Sequence, residues 1–252
     1  MKYRETISEK VEGVGFYSPS SHFSEIHLLL EPGSTDSGIK FVNKIPHGVL
    51  DSKWQKQIMM TLKTTKFHGV LINAPLTDVK ISLIGGSQQT KYSHASDFRN
   101  ATLRAVRQGL MKLRAKNAVK ILSAVCGNEI EVGEEVYGKV AAIIGQNSGE
   151  IIDANSDLNS KIKIKMSIPE ENLEYFKEKI RPLIKNKFKL KTLSKRFVVS
   201  QNQKSITNKI AYNPEKDLGN PANAVSCPHA SDDLIVPWNK VEEIVFYPMS
   251  KI

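Results

Sequence analysis

FVNKIPHGVL, Phe41 to Leu50, and APLTDVKISLIGGS, Ala74 to Ser87, are the stretches whose patterning sets the fold. The first leaves a short apolar strand, Gly38 to Asn43, through a connection containing Pro46 and Gly48. Asp51 or Ser52 can then cap a helix on which Trp54, Ile58, Leu62 and Thr65 recur at helical spacing until Gly69 stops it. The second reads as a strand, Leu76 to Ile84, ending at Gly85-Gly86. Upstream, Phe23 to Glu31 (FSEIHLLLE) is another strand, and the turn-rich Pro32 to Ser37 predicts a hairpin from it to Gly38–Asn43. Downstream, Ser96 is the expected N-cap of a second helix, with Asp97 favourably placed against the positive end of its dipole. Phe98, Thr102, Ala105, Val106, Gly109 and Leu113 share one arc of that helix, and Arg99, Arg107 and Arg114 form a cationic stripe beside it. Such a stripe suits a solvated flank and an RNA contact equally. Residues 1 to 117 therefore read as an α+β unit.

A second unit, residues 118 to 201, follows the order strand, helix, strand, strand, helix, strand of a ferredoxin-like sandwich. Val119 to Val132 is strand-like, and Glu134 to Gln146 is helical, with Val136, Val140, Ile143 and Ile144 on one side. KIKIKMSI, Lys161 to Ile168, alternates strictly, so Ile162, Ile164, Met166 and Ile168 should face a core and Lys161, Lys163 and Lys165 solvent. Pro169-Glu170-Glu171 opens another helix carrying Leu173, Phe176 and Ile180, interrupted by Pro182, before a strand at Arg196 to Ser200. Residues 202 to 252 differ in character: a stretch rich in Asn, Pro and Ser, then Ile235, Trp238, Val241, Ile244, Val245 and Phe246, which need a surface to cover. This C-terminal extension is expected to dock on the second unit.

Thirty-six Lys and Arg against 26 Asp and Glu leave a net charge of +10 on 252 residues, which favours a polyanionic partner, RNA first. Cys126 and Cys227 lack metal-ligand or redox spacing and read as reduced thiols of a cytoplasmic protein. The N-terminus lacks a basic-then-apolar leader, and no apolar run approaches the ~18 residues of a membrane span, so no membrane partner is expected.

Chemical motifs are sparse. Gly133 to Val140 reads G-x-x-x-x-G-K, close to a phosphate-binding loop, but Val140 stands where a hydroxyl must reach magnesium, and Glu134 and Glu135 put negative charge where phosphate must sit. Ser93, His94 and Asp97 offer hydrolase residue types without a nucleophile elbow, and helix capping explains them better. Cys227-Pro228-His229 lacks the second pair of a zinc site. No catalytic and no metal-binding residues are expected.

The opening Lys2 to Ile7 (KYRETI), the two stretches quoted first, Ser87 to Lys91 and Gly133 to Val140 together resemble a translation elongation factor of the elongation factor G type, entered in the fourth of its five domains. The resemblance runs from about residue 2 to 201. It implies a left-handed βαβ two-layer domain over 1–117, counterpart of the family's domain IV, and a ferredoxin-like counterpart of domain V over 118–201. The GTPase domain lies outside it, so no enzyme activity and no cofactor is expected in this chain, GTP and magnesium belonging to that domain. Met1 directly before the first strand fits either a fragment or a free-standing chain. The implied partner is the ribosome and its RNA, engaged by a monomer.

The implied contacts are two tip loops near the small-subunit decoding region: Tyr17, Ser18, Pro19, Ser20, Ser21 and His22, and Gln88, Gln89, Thr90 and Lys91. Arg99, Arg107 and Arg114 would add phosphate contacts, and Gln146 and Asn147 would face the large subunit. Tyr17, Phe23 and Tyr92 are candidates for stacking on unpaired bases. The first loop departs from the family's glycine-rich pattern, and Gln89 replaces a tip histidine. Pro19 and the helix opening Ala95 to Arg99 are more similar to the tetracycline-resistance ribosomal protection proteins. Two other functions fit the same architecture: an RNA-processing enzyme or small-molecule kinase, and a stand-alone ribosome regulator without GTP.

Overall fold

In the computed structural model the patterning resolves into two β-sheets and several helices, a mixed α+β architecture. The structure describes residues 2–20, 22–89, 91–156, 161–184, 190–227 and 234–250. In chain order its strands and α-helices are β1 (Tyr3–Ile7), β2 (Val11–Ser18), β3 (Ser24–Pro32), β4 (Ile39–Asn43), α1 (Ser52–Thr64), β5 (Val79–Gln88), α2 (Ala95–Ala115) and β6 (Val119–Gly133). There follow α3 (Glu134–Gln146), β7 (Glu150–Ser156), β8 (Lys161–Pro169), α4 (Leu173–Ile180), β9 (Lys191–Val199), α5 (Gln203–Ile210), β10 (Ala224–Ser226) and β11 (Leu234–Val236). Two compact units result, Glu5–Ile121 with Gln201–Ile252, and Met1–Arg4 with Leu122–Ser200, the division falling inside β1 and β6.

The larger unit is built on a 6-stranded sheet ordered β11-β10-β2-β3-β5-β4. β2, β3 and β5 pair antiparallel, and β4 lies parallel to β5, with α1 as the crossover between them. Ile26, Leu28 and Leu30 of β3 and Ile81 and Leu83 of β5 are fully buried with Ile58 and Leu62 of α1 and Ala101, Ala105 and Leu110 of α2. Burial of each large aliphatic side chain contributes about 1.5–3 kcal/mol. β2 lets α2 approach its backbone because glycine occupies alternate positions: a Cβ on Gly13 would stand 2.2 Å from the Ala105 carbonyl oxygen, and one on Gly15 1.8 Å from that of Ala101. Glycines at 13 and 15 weaken the strand signal, and in return they set one face of β2 flat against the helix.

The expected hairpin between Phe23–Glu31 and Gly38–Asn43 does not form, because β5 lies between β3 and β4 and pairs with both. Asp78 draws the connection away. Its carbonyl accepts the Gly33 amide at 2.7 Å and its carboxylate the Gly38 amide at 3.1 Å, which seats β4 on the far edge of β5. Glu5 organises the segment after α1 in a similar way. Its buried carboxylate accepts the amides of Leu71, Ile72 and Ala74 at 2.8–3.0 Å. Burial raises this carboxyl above its ordinary range, and the backbone donors oppose that rise.

The C-terminal segment corrects a second expectation. It docks not on the second unit but with Glu5–Ile121: β10 pairs parallel with β2, and Ala224, Val236 and Val241 are buried with Val14, Phe16 and Phe23. The reason is that Val14 and Phe16 of β2, with Phe23 just before β3, are apolar side chains outside the core beneath α2, and the tail supplies the missing layer.

In the smaller unit a sheet runs β7-β8-β6, with β9 on the other flank of β6, all antiparallel; β1 joins the same sheet. Ile164, Met166 and Ile168 of β8 are buried with Val140 and Ile144 of α3 and Phe176 and Ile180 of α4. Lys161, Lys163 and Lys165 alternate outward and pair with Glu131, Glu129 and Asp153 at 2.6, 3.1 and 3.8 Å. Gly133 is the N-cap of α3, and a Cβ there would lie 2.4 Å from the Glu135 carboxylate oxygens. That carboxylate occupies the space over the helix terminus that a phosphate would need. Among the described residues no helix is long and apolar enough to cross a membrane.

Candidate nucleic-acid interface

Two loops at one end of the larger unit's sheet form a single knot. In the first, the His22 amide donates to the Pro19 carbonyl at 2.9 Å, the Ser18 hydroxyl to the His22 carbonyl at 2.6 Å, and Ser20 takes a left-handed φ of 53°. In the second, the Gln89 carbonyl accepts the amides of Tyr92 and Ser93, both at 3.1 Å. The loops are then stitched together: the Phe23 amide donates to the Tyr92 carbonyl at 3.0 Å, and the Ser93 hydroxyl to the Phe23 carbonyl at 2.6 Å. Gln88 is half-buried and accepts the Asp51 amide at 2.9 Å, tying the second loop to the start of α1. Ser21 and Thr90 lie outside the described residues.

The N-cap of α2 is His94, two residues before the expected Ser96. Asp97 displaces Ser96 from that role. Its carboxylate accepts the His94 amide at 3.0 Å in a capping box and approaches His22 Nδ1 at 3.2 Å, and Ser96 Oγ donates to it at 3.3 Å. The rings of His22 and His94 lie 4.4 Å apart, His22 on the first loop and His94 at the helix start. A buried carboxylate thus holds both loops and the positive end of α2 in register, leaving Ser20, Gln89, Lys91, Tyr92, His94 and Arg99 exposed around it.

The aromatic candidates separate. Tyr92 is 47% exposed, whereas Phe23 is buried, edge-on to Phe16 at 5.5 Å and to Phe246 at 5.4 Å, and belongs to the core. Tyr17 is half-buried beneath the Arg104 guanidinium, 4.8 Å from its ring centre. Burial lowers the Arg104 pKa, and the neighbouring Tyr17 opposes that. Sequence patterning missed Arg104 because it falls outside both the apolar arc and the stripe.

The arginine stripe also divides. Arg99 is exposed. Arg107 is 5% exposed and is withdrawn from any RNA: it donates to the Gly69 carbonyl at 3.0 Å and to the Tyr212 hydroxyl at 2.5 Å, with Asp217 3.7 Å away. The cause is the C-terminal segment, whose residues 212 to 217 lie over it. A hydrogen bond from Tyr212, then one from Asn220, holds the Asp217 carboxyl below its ordinary range. Arg114 is half-buried beside Thr207, Ala211 and Tyr212 in an open depression.

In the smaller unit Gln146 is exposed, but Asn147 is 4% exposed and serves as the C-cap of α3. Its side-chain amide donates to the Ile143 carbonyl at 2.8 Å, and its own carbonyl accepts from Asn172 at 3.0 Å, which removes it from the contact set. Among the described residues no group of three or more His, Cys, Asp or Glu is placed to hold a metal ion.

A crystal structure of a protein from Thermus thermophilus is similar over 83% of this chain and 32% of that one, with 24% identity and a TM-score of 0.66. The chain thus spans about a third of that protein's length, and at this identity the likeness is one of fold. Residues 1–114, which carry both tip loops and nearly all of α2, match the family described as elongation factor G, domain IV. The N-terminal part of this chain is therefore an elongation factor G domain IV-like region.

Proposed function

We propose that the chain is a ribosome-binding module of a translation factor, and that the knot formed by residues 17–22 and 89–94 is the end that meets ribosomal RNA near the small-subunit decoding region. The observation that carries this reading is the match of residues 1–114 to elongation factor G domain IV. The chemistry of the knot supports it. Lys91 and Arg99 are exposed cations for phosphate, Gln89 and Ser20 are exposed hydrogen-bonding groups for bases or ribose hydroxyls, and Tyr92 is an exposed ring on which a base can stack. The positive end of α2 points into the same region.

By the same resemblance residues 122–200 are read as the ferredoxin-like counterpart of the family's domain V. The strand order β7-β8-β6-β9 and the packing of α3 and α4 on β8 support that reading. The parallel pair β4 and β5 joined by α1 is the unit to which the left-handed βαβ reading applies. Pro19, which stiffens the first loop, favours a partner site like that of the ribosomal protection proteins.

Cosedimentation with ribosomes tests the proposal. The chain is expected to pellet with ribosomes at low salt and to be released steeply as salt rises. Absence from the pellet at low salt would rule the reading out.

A further inference from the structure

The face of β2 and β3 turned away from α2 buries three titratable side chains that neither the fold nor the tip requires. Glu12, Glu25 and His27 are each 2% exposed or less. His27 Nδ1 lies 2.5 Å from Glu12 Oε1, and Nε2 lies 2.8 Å from Glu25 Oε1, so an imidazolium donates to both carboxylates. The carboxylates are also occupied from the other side. Glu25 accepts the backbone amides of Phe246 at 2.9 Å and Tyr247 at 2.7 Å, and Glu12 accepts that of Ser250 at 2.7 Å. The Tyr247 ring stands 5.2 Å from the His27 ring and fills the space where a Cβ on Gly85 would fall, 2.1 Å away. An apolar trio would pack as well and cost less to desolvate, so the charges are best explained by what they hold.

What they hold sits behind the first tip loop. Phe246 lies 6.3 Å from Phe16 and 5.4 Å from Phe23, the residues just before and just after the loop. Upstream in the tail, Val225 and Ser226 of β10 pair with Tyr17 and Ser18 themselves. Residues 244–250 contain no helix or strand and are anchored by amides and side chains alone. We propose that Glu12, His27 and Glu25 form a receptor for the chain's own segment 246–250, a strap whose seating braces the first tip loop from behind.

The strap's grip depends on protonation. Burial alone would lower the His27 pKa, but hydrogen bonds to Glu12 and then Glu25 raise it above its ordinary value. Burial alone would raise the Glu12 carboxyl, and the bonds from His27 and the Ser250 amide overcome that and hold it low. The groups facing His27 are Glu12 on β2, Glu25 on its own strand and Tyr247 on the strap; from α2, Lys112 donates to the Glu12 carbonyl at 2.8 Å and pairs with Glu242. Stability from a raised His27 is complete below the unfolded value and is lost as pH rises through the folded one. Stability from a depressed Glu12 is complete above the unfolded value and is lost as pH falls through the folded one. The charged triad that receives the strap is therefore complete between about pH 4.5 and about pH 6.5 and weakens on both sides.

Amide hydrogen exchange on the full chain tests this. In Phe246→Ala, which alters an exposed ring, and in Glu25→Gln, the amides of Phe246, Tyr247 and Ser250 and of His22 and Phe23 are expected to exchange about tenfold faster or more, while those of β5 and α1 keep their protection. In the unaltered chain, exchange of the Phe246 and Tyr247 amides, corrected for intrinsic rate, should be slowest within that window and faster on either side. Faster exchange in the strap with no change at His22 and Phe23 would overturn the bracing, and a monotonic pH profile would overturn the receptor. The consequence for RNA rests on the function proposed above, but exchange is measured without RNA, so a failed ribosome experiment and a failed strap are told apart.

Discussion

Arg99 and Arg107 lie on the same stripe of α2 and meet opposite fates. Arg99 stands in solvent beside the tip knot, while Arg107 is enclosed by the Gly69 carbonyl, Tyr212 and Asp217. Helical periodicity treats the two alike, because it reports which face a residue occupies and not what later covers that face. The covering here comes from residues 212 to 217, far along the chain. A cation is a candidate for phosphate only where the finished fold leaves it uncovered; elsewhere its charge must be met internally, or burial would expel it.

The strongest way to break this contrast is Arg107→Ala. It takes the guanidinium donor from the Gly69 carbonyl and the Tyr212 hydroxyl and the nearby positive charge from Asp217, and should cost about 3 kcal/mol in urea or thermal unfolding. A variant as stable as the parent would mean that Arg107 is not held internally.

Asp97→Ala comes next. It removes the capping box and the contact with His22, and should cost about 1–2 kcal/mol while raising amide exchange at Tyr92 and Phe23, whose bond joins the loops. Unchanged exchange there would show that the knot does not depend on this carboxylate.

Arg99→Ala should change stability least, within about 0.5 kcal/mol, because its side chain is exposed. Its effect belongs to binding: the slope of log affinity for ribosomes against log salt should fall by about one. Arg99→Ala and Arg107→Ala thus give opposite profiles from one stripe, one in binding and the other in stability.

The legible parts of the fold are those where one local pattern decides. KIKIKMSI alternates, and its Ile164, Met166 and Ile168 are buried while its lysines are exposed. The apolar arc of α2 places Phe98, Ala105 and Leu113 in the core. The rest depends on contacts between distant segments. The turn-rich Pro32–Ser37 looks like a hairpin until Asp78 captures it, and the glycines of β2 take their meaning from the backbone of α2, which lies against Gly13 and Gly15. Gly13-x-Gly15, with Glu12, Glu25 and His27 set among apolar strand residues, was a readable sign of a strand packed closely on both faces. At the tip, the family resemblance singled out two loops, and the fold brings those loops together. The parts played by His94 and Asp97 were not, because His94 as a cap takes its place only once Asp97 turns back to its amide.

The most direct measurement of the central claim is the salt dependence of ribosome affinity for the chain and for a variant carrying Gln89→Ala, Lys91→Ala and Arg99→Ala together. All three side chains are exposed at the tip, so the variant should unfold at the same temperature as its parent. If the tip meets ribosomal RNA, it should bind more weakly at low salt with a slope reduced by about two, one for each lost cation. Equal affinity and equal slope for the two proteins would contradict the assignment of the tip as the RNA-facing end.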